Sequence, residues 1–219
     1  MPAITVDDIL VLPMVTEAAP AVVEREVREV SAGLFHGVRW WVNLPSRLKT
    51  APPRYGDIRR GEAAPLSSAD GGALPRVIAG EMGGRTGPGI TRAPISLAHV
   101  YPSRGARLRP PWRPDFNAPA CALPGSGSVG AGPRPARKGQ IAVYGGCGVV
   151  TVAAAAEQDS RSPQSEVLVL VGKPPREPVA VCGPFVMNTR QELYKASEDD
   201  RAGRLGSIPA ESDPVHDVL

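Results

Sequence analysis

Aromatic side chains, histidines and long apolar runs are all scarce in this 219-residue chain. No apolar stretch approaches the roughly 18 residues that a membrane-spanning helix requires. Asp7 and Asp8 stand where a secretory signal would carry basic residues. Aromatic residues make up only 5% of the chain, so few large side chains are available to anchor a core. We therefore expect a marginally stable protein that neither spans a membrane nor carries a secretory signal.

Cysteine is also rare, because the chain has only Cys121, Cys147 and Cys182, which are far apart in sequence. Their odd number and the lack of a CxxC pair argue against a zinc knuckle and a disulfide framework. Reduced thiols fit the cytoplasm, which is the expected location. The net charge of +3 is spread along the chain, and the densest basic stretch, residues 103–116, is interrupted by prolines. This distribution is typical of a solvated surface and does not predict a nucleic-acid partner.

Proline and glycine, by contrast, are abundant, with 25 and 24 copies. They separate short apolar runs that are rich in β-branched residues, and this pattern predicts a mainly β protein built as an antiparallel sandwich or barrel. The predicted strands after the N-terminal region are 76–82, 95–101, 106–109, 118–123, 140–145, 149–154 and 166–172. Before them, residues 37–45 also have the composition of a strand. Pro119 and Pro124 bracket one predicted strand and would remove donors from its ladder.

One helix is predicted near the end of the chain. Thr189 and Glu192 have the spacing of a capping box, and Gly203 stands where a left-handed residue ends a helix. Leu193 and Ala196 give this helix an apolar side.

Three stretches in this order resemble the pirin family of bicupins. They are HGVRWWVNLPSRLKTAPPRYGDI (36–58), RVIAGEMGGRTGP (76–88) and EPVAVCGPFVMNTRQELYKASEDDRAGRLG (177–206). The resemblance implies a cupin-type antiparallel β-barrel, the RmlC-like jelly roll, with a C-terminal α-helix. It also implies that Asp200 stands on the buried face of that helix, at a position that is usually Phe or Tyr in the family, where an unpaired carboxylate would be costly. It also implies the following division of the chain: residues 1–45 as a remnant of the N-terminal cupin domain, 46–72 as a linker, 73–206 as the C-terminal cupin domain and 207–219 as a flexible tail.

Family resemblance further implies one metal, usually iron, held by histidines and a carboxylate in the N-terminal barrel. The HPHRGFE-type motif that supplies those ligands is missing from this sequence, and the only histidines are His36, His99 and His216. Such an iron site needs several imidazoles that converge from neighbouring strands. His99 shares one strand face with Leu97 and Tyr101, which favours a side chain pointing into the barrel. It is the candidate metal ligand, although a lone hydrogen-bonded histidine is the favoured interpretation, and neither a metal site nor a catalytic residue is predicted.

Two further motifs have structural explanations. GSGSVG (125–130) satisfies the dinucleotide pattern G-x-G-x-x-G, but Pro133 and Pro135 follow it where a helix would have to begin. A β-hairpin turn is therefore the favoured interpretation. The segment PPWRP (110–114) could adopt a polyproline II conformation and dock with Trp112 on a partner.

We therefore expect a pirin-like cupin protein that lacks the family's metal centre and is non-catalytic or regulatory, with no cofactor. One alternative is a quercetin 2,3-dioxygenase-type enzyme with residual activity, which would require iron. Another is a protein-interaction module. The expected partner is an unknown protein, or a second copy of the chain bound through the exposed segment 37–45.

Overall fold

The computed structural model describes residues 40–53, 58, 62–68, 71–110, 112–123, 125–130, 132–138, 140–144, 151–158 and 165–207. The predictions for residues 1–39 and 208–219, which include His36 and His216, lie outside this part of the chain. The described elements are one 3₁₀ helix (Ser46–Leu48), strands β1 (Ala64–Pro65), β2 (Ala73–Ala79), β3 (Glu81–Met82), β4 (Arg85–Thr86), β5 (Ile95–Pro102), β6 (Arg107–Leu108), β7 (Ala118–Ala122), β8 (Ser126–Val129), β9 (Arg134–Arg137), β10 (Ile141–Tyr144), β11 (Val152–Ala154), β12 (Val167–Gly172), β13 (Ala180–Cys182) and β14 (Phe185–Met187), and helix α1 (Arg190–Arg201).

The strands confirm the mainly β prediction and form two principal antiparallel sheets. One sheet has the order β1-β2-β5-β12-β7-β10, and the other has the order β6-β11-β8-β9. Sequence neighbours are rarely sheet neighbours in the larger sheet, as expected for a jelly roll. Each predicted strand from residue 76 onward contains an observed strand, because alternating apolar residues separated by turn residues determine this kind of structure locally.

The main core lies between these two sheets. It consists largely of valine and alanine, as the low aromatic content leads one to expect. Its buried members are Ala73, Val77, Met82, Ala98, Val100, Leu108, Ala118, Ala120, Val152, Val167, Val169 and Val171. Trp112 and Phe116 pack against this cluster as its large aromatic neighbours.

Strand β7 contains Pro119 rather than being bracketed by it, and Pro124 lies outside the described residues. Asn117 and Leu123 both donate backbone hydrogen bonds to the neighbouring chain segment of β12, to Gly172 and Glu166. By the alternation of an antiparallel ladder, the backbone of Pro119 faces β12 as well, opposite Leu170. Proline has no N–H, so the ladder lacks that donor in the interior of the sheet.

The prediction of a strand over residues 37–45 is wrong for its described part. Residues 40–45 form no strand, and a 3₁₀ helix begins directly after Pro45. A strand needs a partner for its ladder, and the described residues provide none beside this segment. Trp40 instead packs against Cys121, Leu123 and Leu168, whereas Trp41 is exposed.

By contact, the described residues form two compact units: one with residues 40–42 and 58–176, and one with residues 43–53 and 177–207. The predicted boundaries at residues 45, 72 and 206 stay a prediction. Among the described residues, no helix has the length and apolarity needed to cross a bilayer.

The smaller unit contains the predicted C-terminal helix. Thr189 and Glu192 form the complete capping box, and Gly203 has a φ of 65° just beyond the end of the helix. Ala196 is buried and Leu193 packs beside Phe185 and Met187. Asp200 is exposed, so the expectation of a buried carboxylate was wrong. Asp200 lies four positions after Ala196 and so on the same helix face, but it stands in the last turn, and the apolar cluster on this face does not include it.

Candidate functional site

The larger sheet carries a cluster of polar and ionisable side chains around His99. His99 and Tyr101 lie on β5, and Arg76 lies opposite His99 on β2. Glu166 immediately precedes β12 and, in the same register, lies opposite Tyr101. Antiparallel pairing therefore brings these four side chains to one sheet face from segments that are far apart in sequence.

This face is not the one that was expected. Leu97, His99 and Tyr101 do share a face, but the inward positions of β5 belong to Ala98 and Val100, which are fully buried in the main core. The prediction that His99 points into the barrel is therefore wrong. Strand periodicity shows which residues share a face, and it does not show which face is turned inward.

Both ring nitrogens of His99 are engaged. The Tyr101 hydroxyl lies 2.7 Å from Nδ1, and a Glu166 carboxylate oxygen lies 3.1 Å from Nε2. An ionised carboxylate only accepts hydrogen bonds, so Nε2 is the protonated nitrogen and donates to Glu166. In the neutral imidazole, Nδ1 then accepts from the Tyr101 hydroxyl. The His99 side chain is 14% exposed, and its partners hold it in one orientation.

Arg76 completes the cluster on its far side. Its guanidinium lies 5.6 Å from the centre of the Tyr101 ring, and the Tyr101 and His99 rings are 4.2 Å apart. A cation above an aromatic face is attracted by the ring's negative π-cloud. Across the sheet surface the cluster thus places a cation, a phenol, an imidazole and a carboxylate in that order. Neighbouring groups of this kind can share hydrogen bonds and exchange protons.

A metal ion does not fit this arrangement. A histidine binds a metal through its unprotonated nitrogen, and a hydrogen bond from the other nitrogen to a carboxylate is compatible with that role. In His99 the unprotonated nitrogen is Nδ1, which already accepts from the Tyr101 hydroxyl at 2.7 Å, so Tyr101 would have to move before His99 could bind iron. Among the described residues, no group of three or more histidine, cysteine, aspartate or glutamate side chains is placed to hold a metal. The donor set of the family's iron site is therefore not reproduced in the described part of the chain.

One small recess lies among the described strands. A recess beside β8 and β12, lined by residues such as Ser126, Val152 and Glu166, has a volume of about 10 Å³. That volume is about what one water molecule occupies. Pockets for drug-sized organic ligands are some tens of times larger, on the order of 300–1,000 Å³.

Residues 125–130 form no phosphate-binding loop. The stretch belongs to a β-hairpin, but residues 126–129 are its first strand, β8, which pairs with β9, so the prediction that the stretch itself is the hairpin turn is wrong. Gly127 is required by packing, because a Cβ there would come within 2.1 Å of the Ala153 carbonyl oxygen. Trp112 packs partly buried against the main core, and docking through the segment PPWRP stays a prediction.

The smaller unit holds a second polar cluster that the sequence did not reveal, formed by Asn43, Ser46, Lys49, Glu177 and Asn188 and called here the Lys49 cluster. Lys49 is 4% exposed, and its Nζ donates to Asn43 Oδ1 and to the Val186 carbonyl oxygen, both at 2.7 Å. Burial lowers the pKa of Lys49, and the nearby carboxylates act in the opposite direction.

Glu177 accepts hydrogen bonds on the other side of the Lys49 cluster. Its carboxylate accepts from the Ser46 backbone N–H at 2.6 Å and from Asn188 Nδ2 at 3.0 Å. The Ser46 hydrogen bond is the main reason why the pKa of Glu177 lies below its usual value. The Lys49 cluster thus joins residues from 36–58 to residues from 177–206, the first and third stretches that resemble pirin. In the described structure these hydrogen bonds stabilise the smaller unit.

The model of the pirin C-terminal cupin domain matches residues 97–206, which is half of the chain. The chain belongs to the pirin family. A putative quercetin 2,3-dioxygenase of Pseudomonas aeruginosa is 34% identical over 86% of this chain, and human pirin is 33% identical over 78%. The chain spans 65% and 57% of the lengths of these two pirin relatives.

Solved structures support the same fold. A crystal structure of quercetin 2,3-dioxygenase from Acinetobacter baumannii superposes with a TM-score of 0.66 and 30% identity, covering 77% of this pirin-family chain and 56% of the other. A second structure of a quercetin 2,3-dioxygenase from the same organism gives a TM-score of 0.63 at 20% identity. The expected cupin jelly roll with a C-terminal helix is therefore confirmed.

Proposed function

We propose that this pirin-family chain acts as a non-catalytic binding or regulatory protein without the family's metal centre. The observation that carries the proposal is the hydrogen bond of 2.7 Å between the Tyr101 hydroxyl and Nδ1 of His99, the nitrogen through which this side chain would bind a metal. His99 is the one histidine within the described residues, and the whole sequence contains only two others.

A quercetin 2,3-dioxygenase activity is the competing function, because two of the relatives carry that name. It is not favoured, since it would need a donor set that the described residues do not bring together. The proposed location is the cytoplasm, where the free thiols of Cys121 and Cys182 would stay reduced.

Metal loading together with turnover tests the proposal. The full chain is incubated with Fe(II), desalted and analysed for iron per chain, and its consumption of quercetin and oxygen is measured. The quercetin 2,3-dioxygenase of Acinetobacter baumannii, treated identically, serves as the positive control. We expect iron far below one equivalent and no quercetin consumption above that of free Fe(II).

Stoichiometric iron with turnover would overturn the proposal. His99→Ala then identifies the ligand: loss of iron in that variant would mean that the Tyr101 hydroxyl releases Nδ1 of His99 when the metal arrives. Iron retained in H99A would place the site on residues outside the described part of the chain.

A further inference from the structure

Strand β10 leaves one side of its backbone unused. It ends the six-stranded order, and in the described part of the chain it pairs only with β7. Gln140, just before β10, accepts from the Ala122 N–H, so the even-numbered residues turn their backbone groups toward β7. By the alternation of an antiparallel ladder, the N–H and C=O groups of Ile141 and Val143 point outward.

The side chains on this edge are apolar and exposed. Val143 is 74% exposed and Ile141 is 43% exposed. Edge strands of soluble proteins are usually blunted by charged residues, proline or a bulge. The sequence of β10, IAVY, contains neither charge nor proline, and its register with β7 is continuous. The edge therefore has the properties of a surface that pairs with another strand.

We infer that β10 pairs with β10 of a second copy of this chain, antiparallel, about a two-fold axis at Ala142. In that register Ile141 lies opposite Val143 of the partner subunit, and Val143 lies opposite the partner's Ile141. These are the residues whose backbone groups point outward, so the hydrogen-bonding parity is satisfied on both strands at once. The two cross-strand pairs join β-branched side chains, which is a favourable combination in a sheet.

The basic residues before β10 favour an antiparallel over a parallel pairing of the two β10 strands. Arg137 and Lys138 precede β10 and are exposed. A parallel pairing would place these basic residues beside their copies. About the axis at Ala142, the two Lys138 residues are separated by roughly eight strand positions, or about 26 Å, beyond the screening length of physiological salt. A second copy thus provides hydrogen-bond partners for the outward backbone groups of β10 without bringing like charges together.

Mass measurement over a concentration series tests the dimer. Light scattering after size exclusion should give a mass approaching twice the 23.0 kDa of one chain at high concentration and falling toward one chain on dilution. Val143→Lys places a charge on the pairing edge and should abolish the two-fold increase. Val181→Lys is the matched control, because Val181 is a similarly exposed strand valine on β13 and should leave the dimer intact.

Hydrogen exchange supplies a second readout that does not depend on a variant. The Ile141 and Val143 amides should be protected at high concentration and should exchange faster on dilution. A wild-type chain that is monomeric at every concentration overturns the inference, and so does V143K that still dimerises. Protection of both amides in a monomer would mean that another segment of the same chain, such as part of residues 1–39, covers the edge.

Discussion

Lys49 is only 4% exposed, which is rare for a lysine, and its ammonium donates to Asn43 Oδ1 and to the Val186 carbonyl oxygen. Its ammonium ties the segment after Asn43 to β14 through the Val186 carbonyl. Neither its burial nor its partners could be foreseen from the sequence, because Val186 lies 137 positions away. A lysine in a proline-rich stretch is ordinarily assigned to the surface.

Replacing Lys49 with methionine should destabilise the chain. Methionine keeps the length of the apolar stem, but the Val186 carbonyl and the Asn43 amide oxygen lose their donor. An unsatisfied buried polar group costs about 1–3 kcal/mol, and the free energy of unfolding in urea should fall by that amount. Lys138→Met, at an exposed turn residue, is the control and should change little. A K49M chain as stable as wild type would show that water replaces the ammonium at no cost.

Glu177 should make stability depend on pH in the acidic range. Its folded pKa is lowered, chiefly by the Ser46 hydrogen bond, so its contribution is fully present above its unfolded pKa near 4.5. The contribution is then lost as pH falls through the lower folded pKa. We expect Glu177→Gln to lower the thermal midpoint at pH 7 and to differ progressively less from wild type below pH 4.5. Glu198→Gln, on the exposed side of α1, should show no such convergence.

At the scale of elements, the sequence predicted most strands and the helix because their signals are local. Alternation, turn residues and the capping box each act within a few positions. The prediction of a strand over residues 37–45 was wrong in its described part, residues 40–45, because it too used only local signals. Their composition favours an extended backbone, but a strand also requires a partner, and composition contains no information about one. The shared face of His99 and Tyr101 was foreseen, whereas its outward direction depends on how the two sheets pack.

Pro119→Val should strengthen the larger sheet. Valine restores the N–H that faces Leu170 in the β7–β12 ladder, and a net gain of about 0.5–1.5 kcal/mol is typical of one hydrogen bond. The urea midpoint should rise accordingly. Pro135→Val is the matched control on β9, an edge strand in which the Arg137 N–H points away from β8 toward Gln140 Oε1. There the restored donor meets solvent, and no comparable gain is expected. Equal effects in both variants would assign the gain to β-propensity alone.

At the scale of the whole molecule, membership of the pirin family does not by itself determine the chemistry of the site. The chain shares the pirin fold with relatives named as dioxygenases, yet its described residues use their histidine, lysine and acidic side chains to bind one another. A fold supports many functions, and function has to be argued from the site. The family could be identified from sequence because long motifs survive in order. The hydrogen bonds of His99 could not be predicted from the sequence, because Glu166 comes close to His99 only in the folded sheet.

The Lys49 cluster also bears on how the chain is made. Ser46 and Glu177 are separated by 131 positions, so their hydrogen bond closes a very long loop. During synthesis, residues 43–53 leave the ribosome long before β13, β14 and α1 exist. The smaller unit therefore cannot form co-translationally until nearly the whole chain has emerged, and until then Lys49 stays hydrated. A nascent chain that stops before residue 177 would contain every strand of the two principal sheets and still be unable to bury this lysine.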